Sequence, residues 1–168
     1  MNQLLLDVQQ RIVDYVPVVK YVDEDWGQLD DYSPNFPVKY PCVLVDCYSA
    51  DYSNLGNLVQ QGNCTIRLLI ADLRLSNSSN AAPNSQKEKN ASFYELMKSI
   101  YTALHGWHNA GANYTKLIRT AERRIKRDDG LKVHEMLFSV QITDNSAKPM
   151  LYSKTTKEIA IDVVADTL

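Results

Sequence analysis

Apolar residues at Leu5, Val8, Ile12 and Val16, three or four positions apart, open the chain with a helical rhythm that Leu4 and Val13 widen. The spacing predicts an amphipathic helix ending near Asp14, and Pro17 bars further propagation. Residues 18–22, Val-Val-Lys-Tyr-Val, form a short β-branched run that the acidic Asp23-Glu24-Asp25 ends, so a short strand is expected. From 26 to 41 the chain carries Gly27, Pro34, Pro37 and Pro41 among Asp and Tyr, the composition of a loop.

Cys42-Val43-Leu44-Val45-Asp46-Cys47 reads as a largely buried strand bounded by Pro41 and a polar stretch over 48–57. A longer strand is predicted from Gly62 to about Arg74, with Cys64, Ile66, Leu68 and Ile70 on one face and Thr65, Arg67, Leu69 and Ala71 on the other. The Ser- and Asn-rich segment 76–86 is too polar to bury much area and is expected to be a mobile loop. Phe93, Leu96, Met97, Ile100, Tyr101 and Leu104 then define a helix ending before Gly106 or Gly111, with Ser92 and Glu95 spaced as a capping box.

Residues 115–127 fit either period, because Leu117, Ala121 and Ile125 serve a strand face and a helix face alike. The turn signal Asp128-Asp129-Gly130 decides for a hairpin, whose second strand alternates through Val133, Glu135 and Leu137 and reaches Gln141 or Ile142. Beyond Lys148-Pro149 a polar tail leads to Ile159-Ala160-Ile161-Asp162-Val163-Val164, the pattern of a terminal strand or of an arm that pairs with another chain. Runs of strands separated by a helix predict an α+β domain over residues 1–148, its mainly antiparallel sheet covered on one face by two amphipathic helices, with 149–168 as a C-terminal tail or arm.

With 168 residues the chain is long enough to fold on a hydrophobic core without metal or disulfides. Its three cysteines, Cys42, Cys47 and Cys64, make no closed disulfide framework and point to a reducing compartment. Cys42 and Cys47 fall on opposite faces of one strand, so buried thiols are a better reading than metal ligands. The first sixteen residues, with Asp7 and Asp14 and no basic leader, resemble neither a signal peptide nor a membrane span. No glycine-rich phosphate loop and no GxSxG is present. His105 and His108 flank Trp107 without a nearby Asp, Glu or Cys to complete a ligand set, and His134 sits on a strand among Met136 and Phe138. No catalytic residue, metal ligand or cofactor site is therefore assigned, and an enzyme is disfavoured.

Charge is nearly balanced, 18 Lys and Arg against 20 Asp and Glu, which removes the global signature of a dedicated nucleic-acid binder. The charges are nonetheless blocked. Lys116, Arg119, Arg123, Arg124, Lys126 and Arg127 gather six cations in twelve residues, while Asp23, Glu24, Asp25, Asp30 and Asp31 concentrate acid in the first long loop. Three uses compete for these blocks: complementary patches between subunits, cations facing phosphate in a passage that holds DNA, or plain solvated faces. Ten Tyr against three Phe and two Trp, several in predicted loops at Tyr32, Tyr40, Tyr48 and Tyr52, favour interfaces.

The opening amphipathic helix, the strand starting Pro41-Cys42-Val43-Leu44-Val45-Asp46 and the strand from Gly62 to Ala71 are followed by the polar loop, the helix with Phe93-Tyr94-Glu95-Leu96 and the closing hairpin through Glu122-Arg123-Arg124 to Ile142. This order resembles that of the bacteriophage tail terminator, or tail completion, proteins encoded with the head–tail joining genes, over about residues 4–144. The shared pattern is element order and hydrophobic rhythm, without a chemically diagnostic motif. The resemblance implies a non-catalytic structural protein of a phage or prophage virion tail, assembled in the bacterial cytoplasm. It would form a homo-hexameric ring that caps the tail tube, meets head-completion proteins and lets DNA pass through its lumen, with no cofactor and no membrane. The basic strand and the acidic loop would then serve as complementary subunit patches. The long loop over 26–41 and the tail beyond Lys148 depart from the family's compactness. Two other classes remain compatible with the residues: a ligand- or protein-binding α+β module of a mobile element using its tyrosine-bearing loops, and a small enzyme with an unrecognised site.

Overall fold

A computed structural model describes residues 2–30, 38–73 and 79–148. The fold is α+β. Helix α1 spans Asn2–Tyr15 and α2 Asn84–Leu104; the strands are β1 Tyr21–Glu24, β2 Cys42–Gly56, β3 Val59–Leu73, β4 Ile118–Ile125 and β5 Leu131–Asp144. The five strands form one sheet in the order β1-β2-β3-β5-β4, antiparallel at every pairing except the parallel β1–β2.

Both helices lie on one face of this sheet. Leu4, Leu5, Val8, Ile12 and Val16 of the first helical stretch and Phe93, Leu96, Met97, Ile100 and Leu104 of α2 bury against Val43 and Val45, the even-numbered β3 side chains Cys64 to Ile70, and Met136, Phe138, Val140 and Ile142 of β5. Alternation along the strands and 3.6-residue periodicity along the helices thus meet in one core. Val13, expected on the apolar face of α1, is exposed. The helices are also fastened by polar contacts: Arg11 Nε donates to the Ala103 carbonyl at 3.1 Å, and the Tyr114 hydroxyl donates to Asp7 at 2.7 Å. Burial and the Asp7 hydrogen bond both push the Tyr114 hydroxyl well above its ordinary value.

Several boundaries differ from the sequence reading. The first strand begins at Tyr21 and takes in Asp23 and Glu24, because parallel pairing to residues 42–45 supplies its hydrogen bonds whatever its side chains. Strand β2 runs through the polar stretch 48–56 that looked like a loop, and turns into β3 through the two residues Asn57 and Leu58, both at positive φ (51° and 59°). That is the backbone of a tight hairpin turn of right-handed twist, made here by Asn-Leu in place of the usual Asn-Gly. Helix α2 starts eight residues before Ser92, directly after Pro83, which presets the helical φ. Ser92 is no cap: its hydroxyl donates to the Lys89 carbonyl inside the helix. The helix ends at Leu104, and Gly106 at φ 77° lets the chain reverse so that its N–H reaches the Leu117 carbonyl. The expected Asp-Gly hairpin joins β4 to β5. The tail 149–168, including the strand pattern at 159–164, lies outside the described residues, as do 31–37 and 74–78.

His134, on β5 beside the core, packs its ring 5.5 Å from Phe93, and its buried Nδ1 has no hydrogen-bond partner among the described residues. Burial, then the Arg124 charge, lowers its pKa below the ordinary 6.5, opposed by Glu122. The folded chain thus binds this proton more weakly than the unfolded chain, so the stabilisation is full above pH 6.5 and is lost as pH falls through the folded value. A urea-midpoint profile is expected to decline on acidification below 6.5 in the native protein and to lose that component in His134→Gln; superimposable profiles would refute the assignment.

Candidate functional site

The second face of the sheet is half covered. The short 3-10 turn Gln28–Asp30 lays Leu29 over Cys42, Leu44, Ala71 and Val133, with Val38 and Tyr40 at its margin. Gln28, buried, holds this segment in shape by donating Nε2 to the Glu24 carbonyl at 2.6 Å and accepting the Trp26 N–H at 2.9 Å. Tyr21 donates its hydroxyl to Asp23 at 2.5 Å, and burial together with that carboxylate raises the phenol to about 12.

Among the described residues one ion pair, Asp30 with Arg127, joins the acidic and basic blocks within the chain. Arg127 Nη1 contacts Asp30 at 2.7 Å, its Nη2 donates to the Leu29 carbonyl at 2.8 Å, and its Nε donates to Asp129 at 2.7 Å. Asp25 contacts Arg67 at 3.0 Å, and Arg67 also clamps Asp46 with Nε and Nη2, at 3.1 and 2.6 Å. Asp23 is taken up by Tyr21 and Gln28. Glu24 is exposed with no ion pair among the described residues, and Asp31 lies outside them.

The cations divide in the same way. Arg119 pairs with Glu122 at 2.7 Å and lies over the Tyr101 ring, 3.9 Å from its centroid. Arg123 meets the buried Glu135 at 2.5 Å. Lys116, Arg124 and Lys126 are exposed and form no ion pair among the described residues, which leaves them free for a partner along the β4 margin.

At the opposite margin the outer ends of β2 and β3 make a hairpin arm that β5 backs as far as Gln60. Strand β2 pairs with β1 only over residues 42–45, so from Asp46 to Gly56 its outer edge has no strand partner among the described residues. Tyr48, Tyr52, Leu55 and Leu58 on this arm are 56%, 45%, 58% and 58% exposed. Tyr52 lies across from Gly62, where a Cβ would sit 2.7 Å from the ring, so glycine is what lets the ring lie flat on β3. The sequence carried one signal of this arm, the excess of tyrosine; its strand character was hidden by the polar residues between.

Cys47 and Cys64 pack against the helix-side core and hydrogen-bond to one another, whereas Cys42 belongs to the other face. Burial pushes Cys64 up to about 11 and Cys42 to about 12, which keeps both protonated. His105 stacks on Tyr101 at 4.9 Å and accepts the Arg119 N–H at 3.1 Å, while His108 is exposed. Among the described residues no group of three or more His, Cys, Asp or Glu is gathered for a metal, and no helix is long and apolar enough to cross a membrane.

No family model matches the chain, and no curated protein matches it. Among solved structures it is similar to a chain of the virion of a native gene transfer agent particle, with a TM-score of 0.49, 10% identity, and coverage of 84% of this chain and 95% of that one.

Proposed function

We propose that this protein is a structural component of a phage-like particle, and that it acts by closing into a ring, in the manner of a tail terminator. The observation that carries the reading is the presence of two chemically different margins on opposite sides of one sheet. On the β2 side stand an unpaired edge and exposed Tyr48, Tyr52, Leu55 and Leu58; on the β4 side stand Lys116, Arg124 and Lys126 without ion partners among the described residues. A closed ring of head-to-tail contacts needs two unlike patches on each subunit, and opposite margins let each copy use both at once. In this reading six copies cap the tail tube, present a face to head-completion proteins and surround a passage for DNA in the virion tail, after assembly in the host cytoplasm.

We rest the ring on the margins and not on the acidic loop, since Asp25 and Asp30 already pair with Arg67 and Arg127 of their own chain. For the same reason reversing Arg123 or Arg127 tests the fold rather than assembly. The discriminating variant is Lys116→Glu, Arg124→Glu and Lys126→Glu together. Light scattering after size-exclusion chromatography is expected to give a hexamer mass for the native chain and a smaller species for the triple variant, with unchanged circular dichroism. A native chain that stays monomeric at its highest soluble concentration, both alone and with purified tail tubes, would overturn the ring.

A further inference from the structure

We propose that residues 159–164 of one copy add as a strand to the free edge of β2 in a neighbouring copy. The proposal deepens the ring reading and rests on it, by naming what covers the arm. Between a register shift at Cys47/Ser49 and another at Asn54/Gly56, β2 keeps a regular stretch of six residues, 49–54, paired on one side to β3 and on the other to nothing described. An edge of this kind presents a row of free N–H and C=O groups, and folded proteins normally protect it with Lys, Pro or an inward charge. Residues 48–56, Tyr-Ser-Ala-Asp-Tyr-Ser-Asn-Leu-Gly, contain no Lys, Arg or Pro and a single acid, Asp51. By contrast the β4 edge carries Arg119, Glu122, Arg123 and Arg124. The unprotected edge is the one on the arm.

The segment 159–164, Ile-Ala-Ile-Asp-Val-Val, matches it in length and in pattern. In an extended conformation Ile159, Ile161 and Val163 share one side, and Ala160, Asp162 and Val164 the other. On β2, Ala50 and Tyr52 face the helix side, where Ala50 packs against the core, and Ser49, Asp51 and Ser53 face the other. Pairing that sets Ile161 beside Tyr52 brings a β-branched side chain against an aromatic one, a favourable cross-strand combination. The linker starts on the right side of the sheet and is long: β5 ends at the arm tip, where Asp144 pairs with Gln60, and ten residues such as 149–158 can span at most about 35 Å. Donor strand and acceptor edge are unlike surfaces of the same chain, which is what a heterologous contact needs.

The test mixes two full-length populations in a Cys47→Ser background, one carrying Ser53→Cys and the other Asp162→Cys, and treats them with a short bismaleimide. Cross-linked dimers that require both populations are expected. In a chain bearing both cysteines, cross-linking confined to single chains at all concentrations would show the segment closing its own edge and would overturn the proposal, as would no cross-link at all. A parallel pair of full-length variants separates pairing from general disturbance. Ile161→Pro, which removes a ladder donor, is expected to raise the concentration for half-assembly by about tenfold or more, and Thr156→Pro outside the segment to leave it unchanged. If Ile161→Pro rings form like native ones, the donor strand is wrong and the ring stands; if the native chain forms none, the ring reading itself has failed.

Discussion

Phe138→Ala is expected to destabilise the protein by about 3–5 kcal/mol, the usual cost of deleting a fully buried aromatic ring. Phe138 is completely buried at the middle of β5, paired with Ile66 on β3 and with Arg119 on β4, and it belongs to the core shared with both helices. Removing its ring opens a cavity in the core that the sheet shares with both helices. For a domain of this size the loss corresponds to a fall in melting temperature of about 10 °C or more. Tyr48→Ala on the exposed arm is the matched control: in the dissociated chain it is expected to change stability by no more than about 0.5 kcal/mol. Thermal denaturation of the two variants checks the contrast, and equal losses would mean that the core is not where the sheet places it.

The parts of the fold legible in the sequence are those whose periodicity is enforced by burial. Helix α1, strand β3 and strand β5 bury one set of side chains on the same core, so their apolar residues recur at the spacing of the element, and the inner half of β2, buried on both faces, shows as a continuous apolar run. The Asp-Gly turn was legible because it needs a particular backbone conformation that few residues adopt. The outer half of β2 was not, since both its faces are wet and hydrogen bonds to β3, not side-chain burial, keep it extended. The beginning of α2 failed for the same reason: Asn84 to Lys89 form exposed turns continued backward from a buried helix, which no apolar spacing marks.

The candidate surface divides in the same way. Both charge blocks could be read from the chain, but not their pairing, because Asp30 and Arg127 lie 97 positions apart and meet only once the loop has folded over the sheet. Asp30 and Arg127 thus meet within one chain, with the Asp30 side chain still 76% exposed. Arg127 and Arg67 hold the segment 25–30 down over the second sheet face.

Arg67→Met is the second large effect, and its pH dependence identifies the cause. Arg67 sits between Asp25 and Asp46 on the second face; the side chains keep only 25%, 10% and 21% of their exposure, so these charges are largely withdrawn from water. Breaking a fully buried pair costs about 3–5 kcal/mol; with this residual solvent contact the expected loss near pH 8 is about 2 kcal/mol. Burial already pushes Asp46 above the ordinary 3.8, the Arg67 hydrogen bond and charge restrain it, and Asp25 and Glu135 push it further. Without the guanidinium that restraint is gone. The folded variant then holds a proton on this pair more tightly than the unfolded chain does, so proton binding stabilises the fold below the ordinary value and the gain is lost as pH rises through the elevated one. The deficit of Arg67→Met relative to the native protein should therefore be largest at pH 8 and shrink towards pH 5, as measured by urea denaturation. Adding Asp46→Leu should recover part of the loss at pH 8 by removing the stranded carboxylate, with a coupling of about 1 kcal/mol or more between the two sites. A deficit independent of pH and additive with Asp46→Leu would place the role of Arg67 in packing over Tyr48, whose ring centroid is 5.3 Å away, and not in charge.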